Sequence, residues 1–255
     1  MERRKQQKPS VQTKSFQMRR IKPLTDSQRD LFDNFSKYNV INLTGCPGTV
    51  KTFLAMFLSL LEVDEDSIYK SVKIVRSSVS VRDAGFLPGN IKEKMAAFEA
   101  PYISHTINLY GRGDAYEVLK TKKTLEFLPT AHLRGTEFND CIVLIDECQN
   151  MSYQELNTII TRFGHNCKFI LAGDVNQDDL TNERYKERSG YGDIMKILDG
   201  IDSVYTVKFG IEDIVRSGFV KDYIIAKQLF EAKPAKREFL VETIQQSVSN
   251  TDPTS

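Results

Sequence analysis

Tryptophan is absent from these 255 residues, histidine occurs three times and cysteine four times. Cys46, Cys141, Cys148 and Cys167 form no CxxC pair. They fit reduced thiols of a cytosolic protein rather than a disulfide framework. His105, His132 and His165 stand at no ligand spacing to a cysteine, which argues against a zinc site. No run reaches the roughly 18 apolar residues a membrane span needs, so no membrane association is expected. The basic residues 1–22 contain no apolar h-region, so no secretory signal is expected.

Enough apolar sequence is present for one large core: 40% of residues are hydrophobic, and the length suits a single domain. The net charge of +1 hides an asymmetry. Arg3, Arg4, Lys5, Lys8, Lys14, Arg19, Arg20 and Lys22 face only Glu2 within residues 1–22. That stretch reads as a basic flexible arm, either a solvated tail or one that contacts nucleic-acid phosphates. A domain is expected over residues 23–235, followed by a polar tail over 236–255.

Hydrophobic periodicity orders the elements. Thr25 is the expected N-cap of a helix over 26–37, with Leu31, Phe32 and Phe35 on one face. Val40–Thr44 reads as a short strand that runs into Gly45-Cys46-Pro47-Gly48-Thr49-Val50-Lys51-Thr52, and an apolar helix follows over Phe53–Leu61. Further strands are expected at 72–76, 141–145, 168–172 and 204–207. Residues 125–128 are read as extended. Helices are expected over 91–110, 152–163 and, as one or two segments, 212–230. The apolar, β-branched run at 141–145 has the pattern of a strand buried on both faces. Alternating strands and helices predict an α/β fold, a mostly parallel central sheet with helices on both faces. Ligands bind such sheets at the carboxyl ends of the strands, where the glycine loop, Asp146-Glu147 and Gly173-Asp174 all fall.

Each of these elements has a chemistry. A loop wrapping a helix N-terminus points backbone N–H groups at a polyphosphate, and the helix dipole favours its charge. Lys51 is expected on the β- and γ-phosphates and the Thr52 hydroxyl on Mg²⁺. The pattern GxxxxGK[ST] is broken at one place, since Val50 stands where glycine is usual. If that position takes a positive φ, a β-branched side chain there is strained by roughly 1–3 kcal/mol. Asp146 is placed to hold Mg²⁺ and Glu147 to polarise the attacking water. Gln177, in Gly173-Asp174-Val175-Asn176-Gln177, is a candidate γ-phosphate sensor, although such a loop is often only a turn. Arg162 and Arg216 are candidates for stabilising transition-state charge. Gln28 is a candidate for reading the adenine edge, or a helix surface residue.

Taken together, the chain resembles the PhoH-like family, a compact branch of the ATPase core found in superfamily 1 helicases. The resemblance spans about Thr25–Ala226. It rests on Gly45–Thr52, on Gly85-Phe86-Leu87-Pro88-Gly89 with Glu93-Lys94-Met95, and on Arg134-Gly135-Thr136-Glu137-Phe138. It continues through Asp146-Glu147-Cys148-Gln149-Asn150, Thr161-Arg162-Phe163-Gly164, Gly173–Leu180 and Asp213-Ile214-Val215-Arg216. This resemblance implies a single P-loop NTPase domain of RecA-like, helicase-like type that binds and hydrolyses ATP with Mg²⁺. It further implies a link to RNA or single-stranded DNA and to phosphate starvation, and a place in the cytoplasm of a bacterium or a phage-infected host. A homo-oligomeric ring, such as a hexamer, with a neighbour's arginine completing the site, is also implied.

Two other functions compete with nucleic-acid-coupled hydrolysis. A nucleotide-binding switch or assembly module with little turnover is favoured by Val50. A small-molecule kinase fits the phosphate loop but leaves the Gly173–Gln177 and Asp146–Asn150 elements without a use.

Overall fold

The computed structural model describes residues 16–65, 68–77, 91–133, 135, 137–174 and 189–231. Six strands form one parallel sheet in the order β3-β2-β4-β5-β1-β6. They are β1 (Val40–Gly45), β2 (Ser71–Arg76), β3 (Leu125–Pro129), β4 (Cys141–Ile145), β5 (Cys167–Gly173) and β6 (Val204–Phe209). The helices are α1 (Asp26–Asn34), α2 (Lys51–Asp64), α3 (Ile91–Tyr110), α4 (Ala115–Thr121), α5 (Tyr153–Ile160), α6 (Tyr191–Leu198) and α7 (Gly218–Glu231). This is the expected α/β fold of P-loop NTPases.

Successive side chains of a strand point to opposite faces, and β4 shows the consequence. Ile142 and Leu144 enter a core with Leu31 of α1, Leu54 and Phe57 of α2, Tyr102 of α3 and Tyr116 of α4. Cys141, Val143 and Ile145 enter a second core with Leu156 and Ile159 of α5 and Tyr191 and Ile194 of α6. Both faces are therefore covered, and β4 is buried along its whole length. None of the described helices is long and apolar enough to cross a membrane.

Local signals set several boundaries. Thr25 caps α1, its hydroxyl accepting the Gln28 N–H, and Ser152 with Glu155 forms a capping box at α5. Other boundaries differ from expectation. The helix expected over 26–37 ends in a 3₁₀ turn, Phe35–Lys37. The one expected over 152–163 ends at Ile160, and residues 212–217 are not helical. The sequence pattern also missed α4 and α6. Within the arm expected over 1–22, residues 1–15 lie outside the described residues, while Phe16, Met18 and Ile21 pack on the first core. The tail expected over 236–255 lies outside the described residues.

Candidate nucleotide-binding site

Strand order brings three strand ends together. β4 and β1 flank β5, so Gly45, Ile145 and Gly173 end side by side on the carboxyl edge of the sheet. A cleft there is lined by Pro47–Phe53, Asp146, Glu147, Gln149, Asp174, Arg216 and His105, among others.

The phosphate loop is held by close backbone contacts. Gly45 has φ +127°, and a Cβ there would lie 2.0 Å from the Phe209 carbonyl oxygen, so no other residue fits. The next N–H, that of Cys46, donates to the same oxygen at 3.0 Å. Val50 sits at φ 58°, ψ 26°, the left-handed region that the glycine pattern anticipates. A β-branched residue is strained there.

Lys51 Nζ donates to the carbonyl oxygens of Gly45 at 2.8 Å and Cys46 at 2.7 Å. Burial lowers the Lys51 pKa, while Asp174, Cys46, Glu147 and Asp146 pull it back up. Thr52 Oγ1 donates to Asp146 Oδ1 at 2.7 Å. The other carboxylate oxygen accepts the Tyr102 hydroxyl at 2.7 Å. Burial and the adjacent Asp146 push the Tyr102 phenol well above its ordinary value, which keeps it a proton donor.

Glu147 follows in a left-handed conformation, φ 55°, ψ 46°. Burial, and then the charge of Asp146, raise its pKa. Gln149 ties it to the next strand: Nε2 donates to Glu147 Oε2 at 2.6 Å, and Oε1 accepts the Asp174 N–H at 3.1 Å. One side chain thus couples the ends of β4 and β5.

The cleft therefore gathers Lys51, Thr52, Asp146, Glu147 and Arg216. Gln177 lies outside the described residues. Gln28 lies on α1 and is not among the residues that line the cleft. It is buried, so it is not a surface residue; its Oε1 accepts the Leu24 N–H, and its Nε2 has no hydrogen-bond partner among the described residues. The start of α1 is tied to the site's flank, since Thr25 donates to Asp213, whose other oxygen accepts the Gly210 N–H just beyond β6.

Arg162 requires a correction. It follows the far end of α5, and its carbonyl oxygen accepts the Phe138 N–H on the segment that leads into β4. It therefore occupies the amino edge of the sheet. A seven-residue β5 rising about 3.3 Å per residue puts roughly 20 Å between that edge and the phosphate loop. Arg162 cannot reach a nucleotide bound in its own subunit.

Tyr102, His105 and Gln149 were missed by the sequence reading. Tyr102 and His105 are one helical turn apart on α3, and burial lowers the His105 pKa. Their spacing was visible, but nothing local linked α3 to a carboxylate more than forty residues away.

No group of three or more His, Cys, Asp or Glu that could hold a metal occurs among the described residues. One carboxylate and one hydroxyl suit Mg²⁺, which keeps waters and takes its other ligands from phosphate.

Comparison with known proteins identifies the family of the chain. The family model for PhoH-like protein matches residues 20–228. A PhoH-like protein of Bacillus subtilis is 30% identical over 84% of this chain and 66% of its own length. One from Mycobacterium tuberculosis strain H37Rv is 28% identical over 83% of this chain and 59% of its own. The chain thus spans about three fifths to two thirds of these relatives. The large terminase of a thermophilic bacteriophage aligns with a TM-score of 0.49 at 10% identity, covering 84% of this chain and 52% of its own. With a family model covering most of its length, this chain belongs to the PhoH-like protein family.

Proposed function

We propose that the cleft binds ATP with Mg²⁺ and hydrolyses it, and that hydrolysis drives action on RNA or single-stranded DNA. The observation that carries the hydrolytic part is the convergence of Thr52 and Tyr102 on the two oxygens of Asp146. An oriented carboxylate beside the hydroxyl that follows the phosphate-loop lysine is an oxygen site for Mg²⁺. The metal would neutralise phosphate charge there.

The other roles follow from position. Lys51 exchanges its two carbonyl partners for the β- and γ-phosphates. Glu147 orients the attacking water, and its raised pKa makes it a stronger base than an ordinary carboxylate. Arg216, exposed at the rim, meets the charge that develops on the transferring group. Gln28 is assigned to the adenine edge through its Nε2, the amide atom that has no hydrogen-bond partner among the described residues. A cytoplasmic ring belongs to the same proposal, and mass measurement in solution tests its assembly.

A nucleotide switch with little turnover is the second reading. It is favoured by the left-handed Val50 and by the contacts that hold Lys51 on the loop carbonyls. Steady-state ATP hydrolysis with and without RNA and single-stranded DNA separates the two. Native protein should be stimulated and Lys51→Ala inactive. If native protein is idle with every oligonucleotide at low salt while Val50→Gly turns over, the switch replaces the motor.

A further inference from the structure

The amino edge of the sheet carries a basic surface that nucleotide chemistry does not use. Lys70 and Lys73 come from the start of β2, and Lys120, Lys122 and Lys123 from the end of α4 and the turn into β3. Together they line a groove of about 880 Å³ that also holds Glu126 and Asp140. Five ammonium groups line it with these two carboxylates, and Lys120 is paired besides with Glu99, outside the groove, at 3.1 Å. The carboxylates hold two of the lysines in place, Lys70 on Asp140 at 2.6 Å and Lys73 on Glu126 at 2.5 Å.

Lys122 and Lys123 are exposed, and neither is ion-paired among the described residues. Lys123 has φ 60°, a left-handed position where glycine or asparagine is the ordinary choice. The chain keeps a cation at the tip of this turn despite that strain. Lys122 also lies 4.9 Å above the ring of Phe16, with Arg112 at 5.6 Å from the same ring. Phe16 in turn stacks on Tyr110 at 4.5 Å. The fifteen residues before Phe16 contain Arg3, Arg4, Lys5, Lys8 and Lys14 against Glu2 alone. This basic stretch of sequence therefore precedes a residue, Phe16, that sits beside the groove.

We propose that this groove binds the phosphate backbone of single-stranded nucleic acid, on the edge of the sheet opposite the nucleotide cleft. Its chemistry is that of a polyanion track, a group of ammonium charges without a fork for one defined anion, led by the exposed Lys122 and Lys123. A flexible strand can follow the line from Lys70 and Lys73 through Lys123 and Lys122 to the root of the arm. This inference rests on the nucleic-acid half of the proposed function and not on hydrolysis.

The test is fluorescence anisotropy of labelled 20-nucleotide oligo-U and oligo-dT against the full chain, from 50 to 300 mM KCl. The parent is compared with the triple variant Lys120→Glu, Lys122→Glu, Lys123→Glu, and with the milder Lys122→Ala, Lys123→Ala. Basal ATP hydrolysis is measured in parallel. At 50 mM salt the triple variant should lose at least about tenfold in affinity, and its log–log salt slope should fall by about 2, at about 0.7 per phosphate contact. The double variant, which guards against misfolding of the first, should lose about threefold with an unchanged melting temperature. Basal hydrolysis should be unaltered in both. A parent that binds, with both variants within twofold of it, overturns the groove and leaves the nucleic-acid reading to another surface. A parent that binds neither oligonucleotide overturns the nucleic-acid reading itself. Displacement of bound oligonucleotide by polyglutamate at equal charge concentration overturns the choice of nucleic acid over an acidic protein.

Discussion

Tyr102, near the middle of α3, donates its hydroxyl to Asp146 Oδ2 at 2.7 Å at the end of β4, while Thr52 holds Oδ1. The buried carboxylate is oriented from both sides by neutral donors. Tyr102→Phe leaves one oxygen of a buried anion without its donor, at a cost of about 1.5–3 kcal/mol. A group that orients a metal-binding carboxylate also sets metal affinity, here by roughly tenfold. Half-saturation by Mg²⁺ at fixed ATP should rise by about that factor, with a smaller fall in kcat at saturating metal. An unchanged Mg²⁺ dependence in a variant of lowered stability would leave Tyr102 with a purely structural role.

Val50 holds a left-handed backbone, with its side chain packed on the first core. Glycine at this position releases about 1–3 kcal/mol of strain. Against that stand about 0.5–1 kcal/mol of extra chain entropy and the lost packing. Val50→Gly should be as stable as the parent or up to about 1 kcal/mol more so. Val50→Ala, which keeps the strain and loses the methyl groups, should be the least stable of the three. Urea unfolding ranks them, and a glycine variant below alanine would contradict the strain.

Glu147 has its pKa raised above 4.5, first by burial and then by Asp146. The folded protein therefore binds this proton more tightly than the unfolded chain does. Its contribution to stability is full below about 4.5 and is lost as pH rises through the raised folded value. Glu147→Gln should melt higher than the parent at pH 8, and the gap should close toward pH 4. Hydrolysis should be lost while Mg·ATP still raises the melting temperature. Equal gaps at both pH values would show that burial of the charge is not what distinguishes the two proteins.

The root of the arm gives a stability test. Deleting residues 1–22 removes Phe16, Met18 and Ile21 from the first core. At about 1.5–3 kcal/mol for each fully buried side chain, and less for partly buried ones, the loss should be about 3 kcal/mol. Deleting residues 1–15 keeps all three contacts and should spare the melting temperature. Equal melting of the two truncations would place the boundary back near residue 22.

Much of the site was legible because its parts are local in sequence. A strand running into Gly45–Thr52 and on into a helix is recognisable from hydrophobic periods of two and 3.6 and from the glycines between them. Asp146-Glu147 stood out by ending the most apolar run in the chain. The displacement of Arg162 was not legible. Its motif is intact, but α5 carries the chain back across the sheet before the arginine is reached, and only topology reveals which edge that is. Nor were Gln149 and Tyr102 legible as site residues, since each acts through a contact with another strand or helix.

The amino-acid sequence by itself determined the α/β alternation, the phosphate loop with its anomalous valine, and the acidic pair, because backbone preference and side-chain period act over a few residues. Tertiary structure alone decided which strand ends meet, that Tyr102 reaches Asp146, and that lysines from two distant segments line one groove on the opposite edge. The physical reason is that these contacts depend on strand order. That order follows from burying both faces of the sheet at once, and no single segment encodes it.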